Sequence, residues 1–474
     1  MFNVHNPKTL VVVKKLNQVP WYTYFCSLTA DLLMISTGMQ ISWYSPAFTK
    51  LLSNDSIVNP FGEPISMMQI SILSILPSLA AVIMYIPWAK VLNTIGAKKT
   101  MRIMATIHIC NLITIAFARN IIVYYVFLPL IGITAYGGVL ALTVYNTEIA
   151  QDSHRGTINC IMSLHMPIGI LIGYILGSVY SLKNSSLIST TPSIIFILLS
   201  LLIPESPYHL IFKQKNTEGY KALETLRGRK NVSEIELEYN KIKLTIDNDM
   251  LLRKLTKISD FVRCKSIRKA FLISTQLFIV EQLSGISFIL GYVTVIFSKA
   301  GTGLSGDIVG ILVGITKLVS FFPAVYYIDK LGRKTLILSS IFGCSVLMLL
   351  LGIFFYLDHI GSNLIGNIRW ISILFTLIYI LSYGIGLGNV PLAFAGEIFP
   401  KDVRSAGVAT TLIIDTLVLS IVTFSFPLVS TTLGLHWCFW ICAAASSIGF
   451  ISIYFTMPET KGKSFLEIQN LLEN

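Results

Sequence analysis

Charge is scarce in this chain. Only 13% of its 474 residues are Asp, Glu, Lys or Arg, about half the roughly 25% of ordinary soluble domains, which argues against a water-facing surface wrapped around a soluble core. Cysteine is sparse too. The seven cysteines, an odd number, lie mostly inside apolar runs (Cys26, Cys110, Cys160, Cys344, Cys438, Cys442), where they read as buried free thiols rather than disulfides or metal ligands. A cleavable leader is not evident, because a polar segment precedes the first apolar run and no small-residue cleavage site follows it. No nucleophile–base set, metal-ligand spacing or phosphate loop is present, so no enzymatic activity, metal or cofactor is expected.

Apolar sequence fills the space that charge leaves. Hydrophobic residues make up 54% and mean hydropathy is +0.71. An all-α membrane protein follows, since open sheet edges cannot face lipid. Twelve runs approach spanning length: 21–45, 66–91, 101–118, 121–145, 157–180, 190–203, 269–297, 307–328, 335–357, 369–394, 405–430 and 436–456. The sixth is short. The only long polar stretch, 204–268, splits them six and six. The expected division is a segment 1–20, a first half 21–203, the loop 204–268, a second half 269–456 and a tail 457–474.

The net charge of +12 does not point to nucleic acid, because the basic residues sit between apolar runs. Lys14, Lys15, Lys98, Lys99, Arg102, Arg155, the 204–268 loop, Lys330, Arg333, Lys334, Lys401, Arg404, Lys461 and Lys463 fall in alternate connections; the other set holds few, such as Lys50, Lys183 and Lys299. The rich set belongs in the cytoplasm, with both termini inside. Sequons at Asn54 and Asn184 then fall in outside loops as glycosylation candidates, and Asn231 falls inside. Within the loop, Asn216 is positioned to cap a helix ending at Gly228. Ser233–Glu236 fits a capping box opening a second helix toward Ile246.

The halves repeat. Asp329-Lys-Leu-Gly332-Arg333-Lys334 follows the eighth span, and Asn93-Thr-Ile-Gly96-Ala97-Lys98-Lys99 follows the second. Glu148 precedes Arg155 after the fourth span as Glu397 precedes Arg404 after the tenth, each by seven residues. Two parallel six-helix halves with a cavity between them are implied.

Within the seventh run, Phe278–Phe288 carries Glu281, Gln282, Ser284 and Ser287, groups costly in lipid unless they face a partner or a wet cavity. Depth counting puts Asp31, Glu281 and Asp415 about 15–18 Å from their basic ends. Lys317 is near the middle of the eighth run. Charges there must face one another or a cavity.

At these residues the chain resembles the sugar porters of the major facilitator superfamily, along essentially its whole length. Further matching motifs are Pro204-Glu205-Ser-Pro207, Gln282-Leu-Ser-Gly285-Ile286 and Pro458-Glu459-Thr-Lys-Gly462. Trp43-Tyr-Ser-Pro46 and Gly169-Ile-Leu171 look most like the insect branch of trehalose and hexose carriers. The resemblance implies a cytoplasmic gate of carboxylate–guanidinium pairs from Asp329, Arg333, Glu397, Arg404, Glu148, Arg155, Glu205 and Glu459, locking the outward-facing state. It also implies a plasma-membrane carrier whose partners are a sugar and the bilayer, with no obligate protein partner. The departures are informative. The family's acidic residue and first turn arginine are here Asn93 and Ala97, and its span-four arginine falls on Leu128. Its sugar-stacking tryptophan is missing from Gly388-Asn389-Val390-Pro391-Leu392. Its span-five glutamine aligns with Ser163, or one turn away with His165 or Met166.

A carbohydrate site needs neutral hydrogen-bond pairs and aromatic faces. Gln282, Ser287, Tyr292, Asn389 and Gln40 supply the first; Tyr383, Phe288 and Phe394 stand in for the tryptophan. Glu281, Lys317 and Asp415 leave three readings open: an internal neutralising pair of Lys317 with Asp415 or Glu281, direct contact with an unusual solute, or proton coupling. Gln40 occupies the position where proton-coupled porters carry aspartate, which favours a passive carrier of trehalose or a hexose. The alternatives are a same-fold carrier of another polar or charged solute, a proton symporter, and a sugar receptor that does not transport.

Overall fold

The computed structural model describes residues 21–151, 154–228, 232–255, 264–301, 303–366, 368–399, 403–461, 463 and 465–473. The segment 1–20, the Asn231 sequon and the Asp329 side chain lie outside the described residues. The first half runs through α1 (Trp21–Leu51), α2 (Met67–Ile95), α3 (Ala97–Phe117), α4 (Ile121–Ile149), α5 (Arg155–Val179) and a sixth span in two pieces, α6 (Leu182–Ile188) and α7 (Thr191–Leu199). The connecting stretch folds as α8 (Pro207–Phe212), α9 (Asn216–Arg227) and α10 (Val232–Leu255). In the second half the seventh span is α11 (Lys265–Leu283) plus α12 (Ile286–Lys299), followed by α13 (Gly306–Leu331) and α14 (Arg333–His359). The tenth span is α15 (Trp370–Ile385) plus α16 (Val390–Ile398); α17 (Arg404–Thr432), α18 (Leu435–Thr456) and a short α19 (Phe465–Glu473) complete the chain.

Eleven helices or helix pairs among the described residues are long and apolar enough to cross a membrane. Helix α1 makes the twelfth. Its 31 residues reach about 46 Å at 1.5 Å per residue. It falls short in hydropathy because it carries Thr23, Ser27, Thr29, Asp31, Ser36, Thr37, Gln40, Ser42 and Ser45, all of them buried within the protein. The sixth span differs from the expected 190–203. It starts at Leu182, because Ser181 caps α6 and Ser186 accepts a hydrogen bond from Trp43 Nε1 at 3.0 Å. Asn184 is therefore on an exposed helix turn rather than in a loop; Asn54 is exposed in the α1–α2 connection. In the loop, α9 ends at left-handed Gly228 (φ 65°), but Lys215 rather than Asn216 is its N-cap. Helix α10 runs to Leu255, beyond Ile246.

Small residues let α1 and α5 meet backbone to backbone. A Cβ on Gly38 would lie 2.2 Å from Met166 O, one on Gly169 2.2 Å from Ile35 O, and one on Gly173 2.1 Å from Ser42 Oγ. Close approach of this kind is how helices associate where lipid offers no hydrophobic drive. Between the halves, hydrogen bonds gather at the end away from the basic connections. Ser45 Oγ donates to Thr294 Oγ1 (2.9 Å) and accepts from Thr294 N (2.8 Å); Tyr174 OH donates to Leu290 O (2.5 Å); Ser74 and Tyr292 share a hydroxyl contact. Phe48 stacks on Tyr292 with centroids 5.5 Å apart. The halves are thus shut at the far end.

Candidate functional site

Two spans break at mid-depth, and both breaks are held by side chains. In the seventh, Gly285 takes φ +96°, where a Cβ would meet Phe288 at 2.6 Å. The Ser284 carbonyl freed by the break accepts from Tyr379 OH (3.0 Å), and Ser284 Oγ donates to Glu281 O (2.6 Å). In the tenth, Ser340 Oγ accepts from Leu387 N (3.1 Å) and donates to Ser382 O (2.7 Å), while Asn389 Nδ2 donates to Gly384 O (2.7 Å). Discontinuous helices of this kind carry binding sites in membrane carriers because irregular backbone can line a cavity but cannot face lipid.

The breaks open on a cavity of about 500 Å³, inside the roughly 300–1,000 Å³ range of small-molecule sites. Spans one, two, four and five form one wall, and spans seven, eight, ten and eleven the other. Gln282, Glu281, Ser287, Tyr292, Lys317, Asn389, Asp415 and Gln40 all line it. Gln282 is the hub of the second wall: its Nε2 donates to Asp415 Oδ1 (2.7 Å), and its Oε1 accepts from Ser287 Oγ (2.5 Å). Glu281 accepts from Tyr383 OH (2.8 Å), and the Lys317 ammonium sits 4.2 Å above the Tyr383 ring. Tyr383 therefore touches both groups, Lys317 over its ring and Glu281 at its hydroxyl, and among the described residues neither carboxylate forms an ion pair with Lys317. On the first wall Gln40 Nε2 is 2.6 Å from His108 Nδ1.

Some expected residues sit elsewhere. Phe288 stacks on Phe426 (4.7 Å, 9° between planes) and packs edge-on against Phe439, and Phe394 is wholly buried. Apolar rings are held by the core; Tyr383 faces the cavity because its hydroxyl has a carboxylate to bind. Ser163 and Met166 line the cavity, whereas His165 turns toward Asp31, with Nδ1 3.7 Å from Oδ2. Ser74, Ser78, Tyr44 and Tyr136 also line it without having been expected. The Ser74–Ser78 pair, one turn apart in an apolar run, was the readable signal for the first two.

The family model described as "Sugar (and other) transporter" matches residues 32–472. The chain belongs to the sugar (and other) transporter family. The facilitated trehalose transporter Tret1 of Polypedilum vanderplanki is 31% identical over 375 residues, 79% of this chain and 74% of that one. Tret1 of Culex quinquefasciatus is 27% identical over 443 residues, covering 92% and 84%. In shape the transporter matches the inward open conformation of the xylose transporter XylE from E. coli, with a TM-score of 0.78 over 95% of this chain and all of that one. At 20% identity that likeness speaks for the major facilitator fold.

The transporter's basic end repeats one device in both halves. Gly96 (φ 92°, ψ 165°) and Gly332 (φ 88°, ψ 160°) turn the chain identically into α3 and α14. Glu459 then caps α14, accepting from Arg333 N and Lys334 N at 3.0 Å each and from Thr460 N and Lys461 N at 2.9 Å. Glu205 caps α3, accepting from Lys98 N (3.0 Å) and Ser206 N (3.2 Å). Carboxylates belong at helix N-termini, where free N–H groups and the dipole meet them. Burial alone raises both carboxyls. For Glu459 the four backbone donors outweigh it and hold the group below its ordinary value, whereas for the more enclosed Glu205 burial wins.

The repeat fails at one pair. Arg333 grips Glu397 through Nη2 (3.0 Å) and Nε (3.2 Å), and Glu397 Oε2 accepts from Thr460 Oγ1 (2.6 Å). In the first half Arg333 is replaced by Ala97, and Glu148 Oε2 is buried without a hydrogen-bond partner. Arg404 Nε donates to Phe399 O (3.3 Å), Arg155 opens α5, and Leu128 is buried in the core.

Proposed function

We propose that this transporter moves trehalose or a hexose down its gradient across the plasma membrane by alternating access. The observation that carries the reading is the Ser287–Gln282–Asp415 chain at a helix break, inside a cavity walled by both halves. Each member keeps a free acceptor or donor for a polyol. Charged groups serve a neutral sugar well, because hydroxyls bound to a carboxylate or ammonium form charge-assisted hydrogen bonds. Its similarity to the facilitated trehalose transporters of Culex quinquefasciatus and Polypedilum vanderplanki supports the disaccharide. Substrate contacts are assigned to Gln282, Glu281, Ser287, Tyr292, Lys317, Asn389, Asp415 and Gln40.

The basic end is assigned to the cytoplasm and the closed end to the outside, where Asn54 and Asn184 accept glycans. In this assignment residues 21–203 and 269–456 rock as two bodies. The loop 204–268 caps the first, and the tail from 457 carries the Glu459 cap of the second. Asp329, Arg333, Glu397, Arg404, Glu148, Arg155, Glu205 and Glu459 form the cytoplasmic gate. A second reading, an acidic sugar derivative, is favoured by one observation: the Lys317 ammonium faces the cavity over a ring rather than a carboxylate. Radiolabelled trehalose, glucose and glucuronate uptake in oocytes separates these. Saturable trehalose or glucose uptake supports the leading reading, glucuronate uptake alone the second. Sugar binding without flux refutes both in favour of a receptor.

A further inference from the structure

The polar atoms along the cavity fall into two groups at different depths. The inner group is the Ser287–Gln282–Asp415 chain at the helix break. The outer one lies toward the shut end, where Phe48 of α1 and Ser74 of α2 meet Tyr292 of α12. His108 takes one end of the Gln40 amide, and Gln40 Oε1 at the other end is buried without a partner. One turn further out on α1, the Tyr44 hydroxyl is likewise buried and without a partner. Both side chains line the cavity, and Gln40 is only 7% exposed. The Tyr292 hydroxyl, in contact with Ser74, also donates to Thr423 O (3.2 Å).

A buried polar atom without a hydrogen bond is costly unless something supplies the missing partner. Water alone can do this in a wet cavity, but here the two orphans adjoin a row of rings. Tyr44, Phe48 and Tyr292 follow one another with centroids 5.8 and 5.5 Å apart, and all three line the cavity. Hydrogen-bonding groups beside aromatic faces suit a pyranose, whose hydroxyls both donate and accept and whose C–H faces are apolar.

The spacing fits a second ring rather than the far edge of the first. Ser287 and Tyr292 lie about 7.5 Å apart along the α12 axis, and Gln40 and Tyr44 about 6 Å apart along α1 on the facing wall. Between Ser287 and Tyr292 the wall is open. Gly291, one turn from Ser287, lines the cavity, and a Cβ there would meet nothing within 4 Å.

We propose that the outer residues form a second pyranose subsite, so that a disaccharide spans the cavity with one ring at Gln282 and the other at Tyr44. The proposal rests on the sugar-binding part of the reading above and divides its contacts. Gln282, Ser287 and Asp415 serve the inner ring; Gln40, Tyr44 and Tyr292 serve the outer. A hexose fills one subsite only, so preference for trehalose over glucose is decided at the outer one.

Calorimetric titration of the purified transporter in detergent with trehalose and with glucose tests this without flux. The wild type binds trehalose more tightly than glucose. Tyr44→Phe removes one hydrogen bond to the outer ring, so the ratio of the two affinities falls about two- to tenfold. Its unfolding temperature does not fall, because the hydroxyl removed has no partner within the protein. Should that variant not fold, Gly291→Leu fills the open wall and abolishes the preference for trehalose while glucose still binds. A wild type that does not prefer trehalose, or variants that keep the wild-type ratio, overturn the subsite even where both sugars are transported. Trehalose binding with the ratio changed in the variants, but without flux, overturns the carrier reading and supports the subsite.

Discussion

Replacing Gln282 by alanine disconnects the cavity wall at its hub. Two hydrogen bonds disappear, Gln282 Nε2 to Asp415 Oδ1 at 2.7 Å and Ser287 Oγ to Gln282 Oε1 at 2.5 Å. The first ends on a carboxylate and counts for about 1.5–3 kcal/mol; the second, between neutral groups, for about 0.5–1.5 kcal/mol. Cavity water recovers part of this, so the expected loss is about 2–3 kcal/mol. Asp415→Asn alone keeps the shape and an acceptor and costs about 1 kcal/mol. The two effects share one bond and are not additive. In Gln282→Ala/Asp415→Asn no carboxylate is stranded, so about 1–2 kcal/mol of the Gln282→Ala loss returns. Unfolding in detergent reads the stability cycle, and uptake reads the site. Stability returns in the double variant while uptake does not, because the sugar still lacks the amide. Strict additivity in unfolding would refute the hub, and normal uptake by Gln282→Ala would remove Gln282 from the sugar contacts.

Gly332→Ala places a Cβ 2.6 Å from Glu459 Oε2 in a backbone region reserved for glycine, costing about 1–3 kcal/mol in strain alone; the unfolding temperature falls, and no fall would contradict the capping role. Ala97→Arg restores the guanidinium missing from the first half and stabilises by about 1 kcal/mol, a gain absent when Glu148 is also changed to Gln; equal effects in both backgrounds would count against Glu148 Oε2, buried without a partner, as its target. Glu459, held low by backbone donors, contributes stability that is present above its unfolded value and lost as pH falls through its folded one. Glu459→Gln flattens that acid limb, and an unchanged limb would exclude Glu459 as its source.

Much of the fold was legible because lipid permits few solutions. Apolar length marked eleven of the spans, and the turn glycines and proline-glutamates marked the repeat, since each half needs the same capped turn. The sixth span was misplaced because Lys183, Asn184, Ser185 and Ser186 read as loop until Trp43 is seen donating to Ser186. The break in the tenth span left no hydropathy signal, as Gly386–Asn389 sits in continuous apolar sequence. Gln282 stood out locally, but its bond to Asp415 spans 133 positions. A neutralising pair was one reading of three buried charges; that Tyr383 touches both Lys317 and Glu281 could not be read from spacing. Asp31 was flagged by depth, whereas its neighbour His165 on α5 appears only once the helices are packed.

Counterflow in proteoliposomes tests the central claim most directly. Vesicles holding the purified transporter and loaded with unlabelled trehalose or glucose are placed in a trace of the labelled sugar. A carrier that alternates its one cavity between the two faces accumulates label transiently above equilibrium. Gln282→Ala abolishes the overshoot. Label that merely equilibrates at the rate of protein-free vesicles, for every sugar tried, would contradict the account.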